Sequence, residues 1–194
     1  DKTMIKVEIA DVKVTKAKDG SEGSSPRHVV ILLDRDGGRV LPIWIGPHET
    51  IAIAIGLKDF PVPRPMTHAF MADVLDAIGA AVEEVQVEAL KGDTFYAVVK
   101  LHSGSQVREV DARPSDAIAL AVHTGAPIYA AEEVIEKAGI PLEGEVGEKQ
   151  PMQEGLKGIV KELEEGMAKW DRMTAEEKVE AMAKMALTHE YSER

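Results

Sequence analysis

The chain has 194 residues with 34 acids against 23 bases, a net charge of −11; this length accommodates one full-sized domain with an appendage. Its 44% hydrophobic and 29% charged residues are those of a folded soluble protein, and its 4% aromatic content requires a core of Val, Ile, Leu, Ala and Met. The absence of cysteine excludes disulfides, thiolate metal sites and cysteine nucleophiles, no run approaches the roughly 20 apolar residues that cross a bilayer, and the expected location is the cytoplasm, with no membrane partner.

From the N-terminus, residues 4–15 (MIKVEIADVKVT) alternate apolar and polar, which predicts a strand rather than a leader segment. KAKDGSEGSSPR, 16–27, is a polar connector. HVVILLD, 28–34, and RVLPIWI, 39–45, flank the hairpin turn Asp36-Gly37-Gly38. Pro42 has no N–H to donate, so the second of these strands is expected at an edge or a bulge. Gly46-Pro47-His48-Glu49 then leads into TIAIAIGL.

KDFPVPRPM brings an extended approach stiffened by Pro61, Pro63 and Pro65, and a helix is expected from about Met66 to Ile78, stopped at Gly79. The strand order then repeats: 80–90, a turn at Lys91-Gly92-Asp93, 94–102, a turn at Ser103-Gly104-Ser105, and 106–112. Arg113-Pro114-Ser115-Asp116 opens AIALAV, and the two junctions share the pattern P-x-[ED]-x-I-A-φ-A-φ, with φ aliphatic. We read two β-β-β-α units from an internal duplication, an α+β (mixed α/β) fold with a compact mixed sheet.

A short strand and a helix follow, up to Gly139. Residues 141–151 have linker composition, rich in Gly, Pro and Glu. The expected organisation is a domain over 1–140, a linker over 141–151 and a helical tail over 152–194, the tail a helical hairpin whose last helix opens on the capping-box pair Thr174 and Glu177.

The chemistry is expected at the junctions. Proline at a first helical position loses no hydrogen bond, and a first-turn acid meets the positive end of the helix dipole. Helix-start chemistry therefore accounts for Pro47, Glu49, Pro114, Ser115 and Asp116 without any ligand. It does not account for Arg113, which either pairs with Asp111 two residues upstream or presents its guanidinium to a phosphate. Arg64-Pro65 repeats the Arg-Pro pair ahead of His68, and Asp73 follows on the same expected helix. His68 and His48 are each open to a structural reading or to a role as base or ligand. Arg27, Arg35, Arg39, Arg64, Arg108 and Arg113 either form a local phosphate-binding face or pair with the many acids. The overall acidity opposes non-specific nucleic-acid binding. No standard metal-binding or phosphate-loop spacing occurs, although Glu49, Asp111, Asp116 and Asp73 could offer oxygens to a hard cation.

LPIWIGPHETIAIAIGL, RPMTHAFMADVLDAIGA, TFYAVVKL and VDARPSDAIALAVHTGAPIYAAEEVIEKAG together resemble the bifunctional nuclease family, in its order and spacing, over roughly residues 4–140. The resemblance implies a compact mixed α/β domain that self-associates as a dimer or larger homo-oligomer, and a DNase and RNase activity reported for some plant members. Glu49, Arg64, His68, Asp111, Arg113, Ser115 and Asp116 fall in the matching blocks; at Ala69 the chain departs from an expected acid.

Two functions from different classes follow. The first is a metal-dependent nuclease on DNA or RNA phosphodiesters. Asp116, Glu49 and His68 would be catalytic. Arg113, Arg64 and Ser115 would bind substrate, and Asp116, Glu49 and Asp111 would hold Mg²⁺ or Mn²⁺. The second is a non-catalytic regulatory module for a small anionic ligand or a protein partner. A mainly structural oligomer, with alanine-rich helices packed closely, is a third reading.

Overall fold

The computed structural model describes residues 2–15, 26–142, 154–177 and 179–180. The first three strands are β1 (Met4–Thr15), β2 (Arg27–Asp34) and β3 (Arg39–Ile45), followed by helix α1 (Pro47–Leu57). Helix α2 (Thr67–Ala77) leads to the second set, β4 (Ala80–Lys91), β5 (Thr94–Ser103), β6 (Gln106–Ala112) and helix α3 (Pro114–Thr124). The chain continues through β7 (Ile128–Ala131), α4 (Glu132–Ala138), β8 (Ile140–Pro141) and α5 (Glu154–Arg172). The two β-β-β-α units are therefore present, with α2 inserted between them.

Among the described residues, eight strands join one mixed sheet in the order β6-β5-β4-β7-β1-β2-β3-β8. Each unit contributes an antiparallel meander, and β7 joins them, antiparallel to β1 and parallel to β4. Pro42 sits opposite Ile31, beyond the short pairing of Arg39 and Val40 with β8, so its missing donor faces no neighbouring strand. Pro141, the first residue of the expected linker, is instead the end of that last strand, and Leu142 donates its N–H to the Gly38 carbonyl. The remainder of the expected linker, 143–151, lies outside the described residues, as does the connector at 16–25.

The core is aliphatic, as the scarcity of aromatics requires. Val12, Val30, Leu32, Val85, Val87 and Ala97 from the sheet are fully buried, with Ile53 and Ala54 of α1 and Ile118 and Ala119 of α3. Alanines on α1 and α3 allow the two helices to approach closely, and Gly56 of α1 lies against Val122 and His123 of α3. A methyl group there would lie 2.6 Å from Val122 Cγ1 and 3.2 Å from the His123 ring.

A bulge in β1 between Ile9 and Asp11 turns Asp11 inward, where it is 1% exposed. Its carboxylate accepts the Val12 N–H at 2.8 Å and the Gly155 N–H at the start of α5 at 3.3 Å. Residues 160–194 form a separate compact unit. Within it Thr174 and Glu177 exchange reciprocal bonds, Thr174 N–H to the Glu177 carboxylate at 2.7 Å and Glu177 N–H to Thr174 Oγ1 at 3.3 Å, the capping box read from the sequence. Most of the last helix expected from the sequence, AEEKVEAMAKMAL, falls outside the described residues. No helix among the described residues is long and apolar enough to cross a membrane.

The close α1–α3 contact gives a test. Gly56→Ala gains about 1 kcal/mol of helix propensity but overpacks the contact at a cost of about 1–3 kcal/mol. Urea denaturation is expected to show a net loss of about 1 kcal/mol.

Candidate active site

Three helices begin at the same place. Gly46 is the N-cap of α1, Met66 of α2 and Arg113 of α3, all with extended backbone, and none receives a side-chain capping bond. Prolines occupy the first turns of α1 and α3, where no N–H is lost. Each first turn then contributes one side chain to a shared cluster: Glu49 from α1, His68 from α2 and Asp116 from α3.

Arg113 ties this cluster together. Its Nε donates to Asp116 Oδ2 at 2.7 Å, and its Nη2 donates to Asp116 Oδ1 at 3.1 Å and to Glu49 Oε1 at 2.8 Å. His68 Nε2 lies 3.1 Å from Asp116 Oδ1. The Asp111–Arg113 pair considered from the sequence is therefore replaced by two more distant acids. The Arg113 side chain is nonetheless 67% exposed, whereas that of Glu49 is 14% exposed and that of His68 11%. Its Nη1 makes no hydrogen bond among the described residues, leaving two N–H groups facing outward.

The electrostatics follow from this geometry. Burial pushes the Asp116 carboxyl upward, but the hydrogen bonds from Arg113 and His68 outweigh it and hold the group below the usual aspartate range. The hydrogen bonds to Asp116 and Glu49 raise Arg113 further above its already high value. Asp116 is thus an ionised acceptor at neutral pH. A carboxylate can only accept, so the proton of this contact sits on His68 Nε2.

Two concave surfaces meet at Arg113. One is a cleft of about 590 Å³ between α2 and strands β5 and β6. Met71, Leu75, Val99, Leu101 and Val110 form its apolar wall, and Thr67, His68, Asp111, Arg113 and Asp116 its polar edge. The other is a depression of about 410 Å³ lined by Trp44, Asp93, Phe95, Arg113 and Ser115, among others.

The remaining expected residues are placed differently. Asp111 lies along the cleft but outside the ion-pair network. Ser115 is buried beneath the depression. Arg64 is exposed and joins no ion pair among the described residues, as does Asp73. His48 is exposed in the first turn of α1. Of the other arginines, Arg35 pairs with Glu8 and Arg39 with the buried Asp34, Arg108 bonds to Gln106, and Arg27 lies against Trp44. They do not form a continuous basic face.

The donor set does not by itself form a cation site. Glu49 and Asp116 share the Arg113 guanidinium, the positive charge that Mg²⁺ or Mn²⁺ would otherwise supply. A cation there would have to displace it from both carboxylates. Among the described residues no group of three or more His, Asp or Glu side chains is arranged to hold a metal ion.

Two features were not anticipated from sequence: the apolar cleft under α2 and the exposed Trp44 beside Arg113. The strand alternation in RVLPIWI carried a signal for the second, since Leu41 and Ile43 point inward and Trp44 must then point out.

Comparison with known proteins converges on one family. The model of the Bifunctional nuclease domain matches residues 30–143. An uncharacterised protein of Mycobacterium tuberculosis is 39% identical over 120 residues, covering 62% of this chain and 71% of the relative. Bifunctional nuclease 1 of Oryza sativa subsp. indica is 26% identical over 123 residues, 61% of this chain and 37% of that protein. Bifunctional nuclease 2 of Arabidopsis thaliana is 25% identical over 138 residues, 68% of this chain and 42% of that protein.

The electrostatic reading is testable by pH titration. Because Asp116 is depressed in the folded state, its stabilising contribution is present above the ordinary aspartate range, near pH 3.9, and is lost as pH falls through the folded value. In Arg113→Ala, burial is opposed only by His68, so Asp116 is expected to protonate at distinctly higher pH than in the wild type. Carboxyl-carbon NMR shifts followed against pH measure this, and an unchanged midpoint would refute the assignment of Arg113 as the dominant counter-charge.

Proposed function

The chain belongs to the bifunctional nuclease domain family, and on that premise we propose that it hydrolyses phosphodiester bonds of DNA or RNA at the His68–Asp116–Arg113 cluster. The observation that supports this most directly is the hydrogen-bonded chain from Glu49 through Arg113 and Asp116 to His68, at the edge of an open cleft.

In this reading Asp116 orients the imidazole and stabilises its protonated form. His68 Nδ1 takes a proton from water, the water oxygen attacks phosphorus, and the bond to the leaving oxygen breaks as that oxygen takes the proton from the imidazolium. The outward N–H groups of Arg113 hold the phosphate oxygens. Glu49 fixes the guanidinium from the other side. Arg64, exposed ahead of α2, would add a charge to a longer substrate, and Ser115 would line the approach.

No step here passes through a metal. Dependence on Mg²⁺ or Mn²⁺, expected from the carboxylates, would require substrate to draw Arg113 away and release Glu49 and Asp116 together. Self-association also belongs to the proposal. It is supported by Met66, Phe70, Val74 and Ile78, which form an exposed apolar stripe along α2 at four-residue spacing. So does action in the cytoplasm, with which the cysteine-free composition agrees.

Cleavage of labelled DNA and RNA by dialysed protein tests the reading. His68→Ala is expected to lower kcat/KM by about 10²–10⁴-fold while remaining folded, and Asp116→Ala to lower it with it. Activity kept in EDTA supports the acid–base route, and activity restored only by Mg²⁺ or Mn²⁺ supports cation binding after displacement of Arg113. Binding of oligonucleotides without turnover would favour the regulatory alternative. Sedimentation of wild type beside a Phe70→Glu, Ile78→Glu double variant checks self-association, with loss of the larger species expected.

A further inference from the structure

Trp44 is one of two tryptophans in the chain, and it is 58% exposed on an out-facing position of β3. It is not isolated. The depression it lines continues to Phe95, Ser115 and Arg113, and has room for a planar heterocycle, at about 410 Å³. Arg27 sets a second guanidinium 5.8 Å from the centroid of its ring. An exposed indole with one arginine over its ring and a second, with uncommitted N–H groups, lining the same depression is a combination that can hold a base by the free face of the indole and the adjoining phosphate by charge.

We propose that this depression is a base-stacking subsite and that the substrate is single-stranded. The inference rests on the nuclease reading for the phosphate at Arg113, and adds what lies next to it. In a duplex the faces of the bases are covered by their neighbours, and only an unpaired base can lie flat on Trp44. Duplex would have to be opened at an energetic cost, so it is the poorer ligand. Stacking reads the π-face and leaves the 2′ position unread, so single-stranded DNA and RNA are accepted alike. The same arrangement answers the difficulty posed by the net charge of −11. Affinity is drawn from stacking and a few local arginines, without a broad basic surface, and its salt dependence is correspondingly shallow.

The test uses the full chain carrying Trp170→Phe, so that fluorescence reports Trp44 alone. The probes are a short oligodeoxythymidylate with cleavage-resistant phosphorothioate linkages, its ribo counterpart, and a hairpin duplex of equal charge. The single strands are expected to quench Trp44, and the hairpin to do so only at concentrations at least tenfold higher. In the otherwise wild-type chain Trp44→Ala is expected to weaken single-strand binding about tenfold or more, and Trp44→Phe by no more than about threefold. Thermal melts confirm that both variants are folded. Equal quenching by hairpin and single strand overturns the inference, as does Trp44→Ala binding as tightly as wild type. Failure of all oligonucleotides to bind overturns it too, and would leave Trp44 as a surface for another kind of partner. The two proposals separate cleanly. Trp44-dependent binding without cleavage sinks the nuclease reading and keeps the subsite; His68-dependent cleavage with an unchanged KM in Trp44→Ala does the reverse.

Discussion

The geometry of the cluster where three helices begin depends on one guanidinium, that of Arg113. Three helices begin within reach of one another, and each brings the positive end of its dipole and a set of unpaired N–H groups to the same region. Left alone, such ends repel. Glu49 and Asp116 neutralise two of them from within their own first turns, and Arg113 then binds both carboxylates. Arg113 is the N-cap residue of α3, so the bond is made from the last extended residue before the helix turns. A lysine could supply the charge but not the planar fork that engages two carboxylates at once.

That placement explains why the cluster is both rigid and open. Glu49 and His68 are largely covered, and the hydrogen bonds fix Asp116, yet the outer edge of Arg113 remains in solvent. The depression with Trp44 lies to one side and the aliphatic cleft under α2 to the other. A ligand with a charged centre and two unlike, less polar flanks would meet complementary surface along its length. The core beneath is built from Val, Ile, Leu and Ala, whose close packing holds α1 and α3 in fixed relation.

Much of the fold was legible in the residues, because its signals are local. Period-2 alternation, Gly-containing turns and proline at helix starts placed the strands and helices to within a residue or two, and the repeated junction pattern exposed the duplication. The site was legible only in its members. Glu49, His68, Arg113 and Asp116 were each singled out, but their convergence is non-local: Arg113 and Glu49 are 64 residues apart in the chain. The nearest acid on the same strand, Asp111, was the natural partner by spacing, and it lost to a first-turn acid and one from the other repeat. Arg64 looked equivalent to Arg113 because both precede proline. No extended strand ends at Arg64, however, and nothing aims it at the cluster. Trp44 was overlooked because an alternating strand says which residues point outward and not what surrounds them there.

The position of β7 has a consequence for how such a chain assembles. It is the strip that joins the two meanders, and it comes after both of them in the sequence. Until Ile128–Ala131 is inserted, β1 and β4 are two open sheet edges with no partner between them. A nascent chain must therefore carry its first half, with one edge unfilled, through the synthesis of the whole second half. The closing step is a long-range pairing, of the kind that slows folding and exposes chains to mispairing on the way. The helix starts that bring Glu49, Arg113 and Asp116 together lie on either side of that seam, so the cluster comes into being only at the end of the process, and a chain released early carries its members apart.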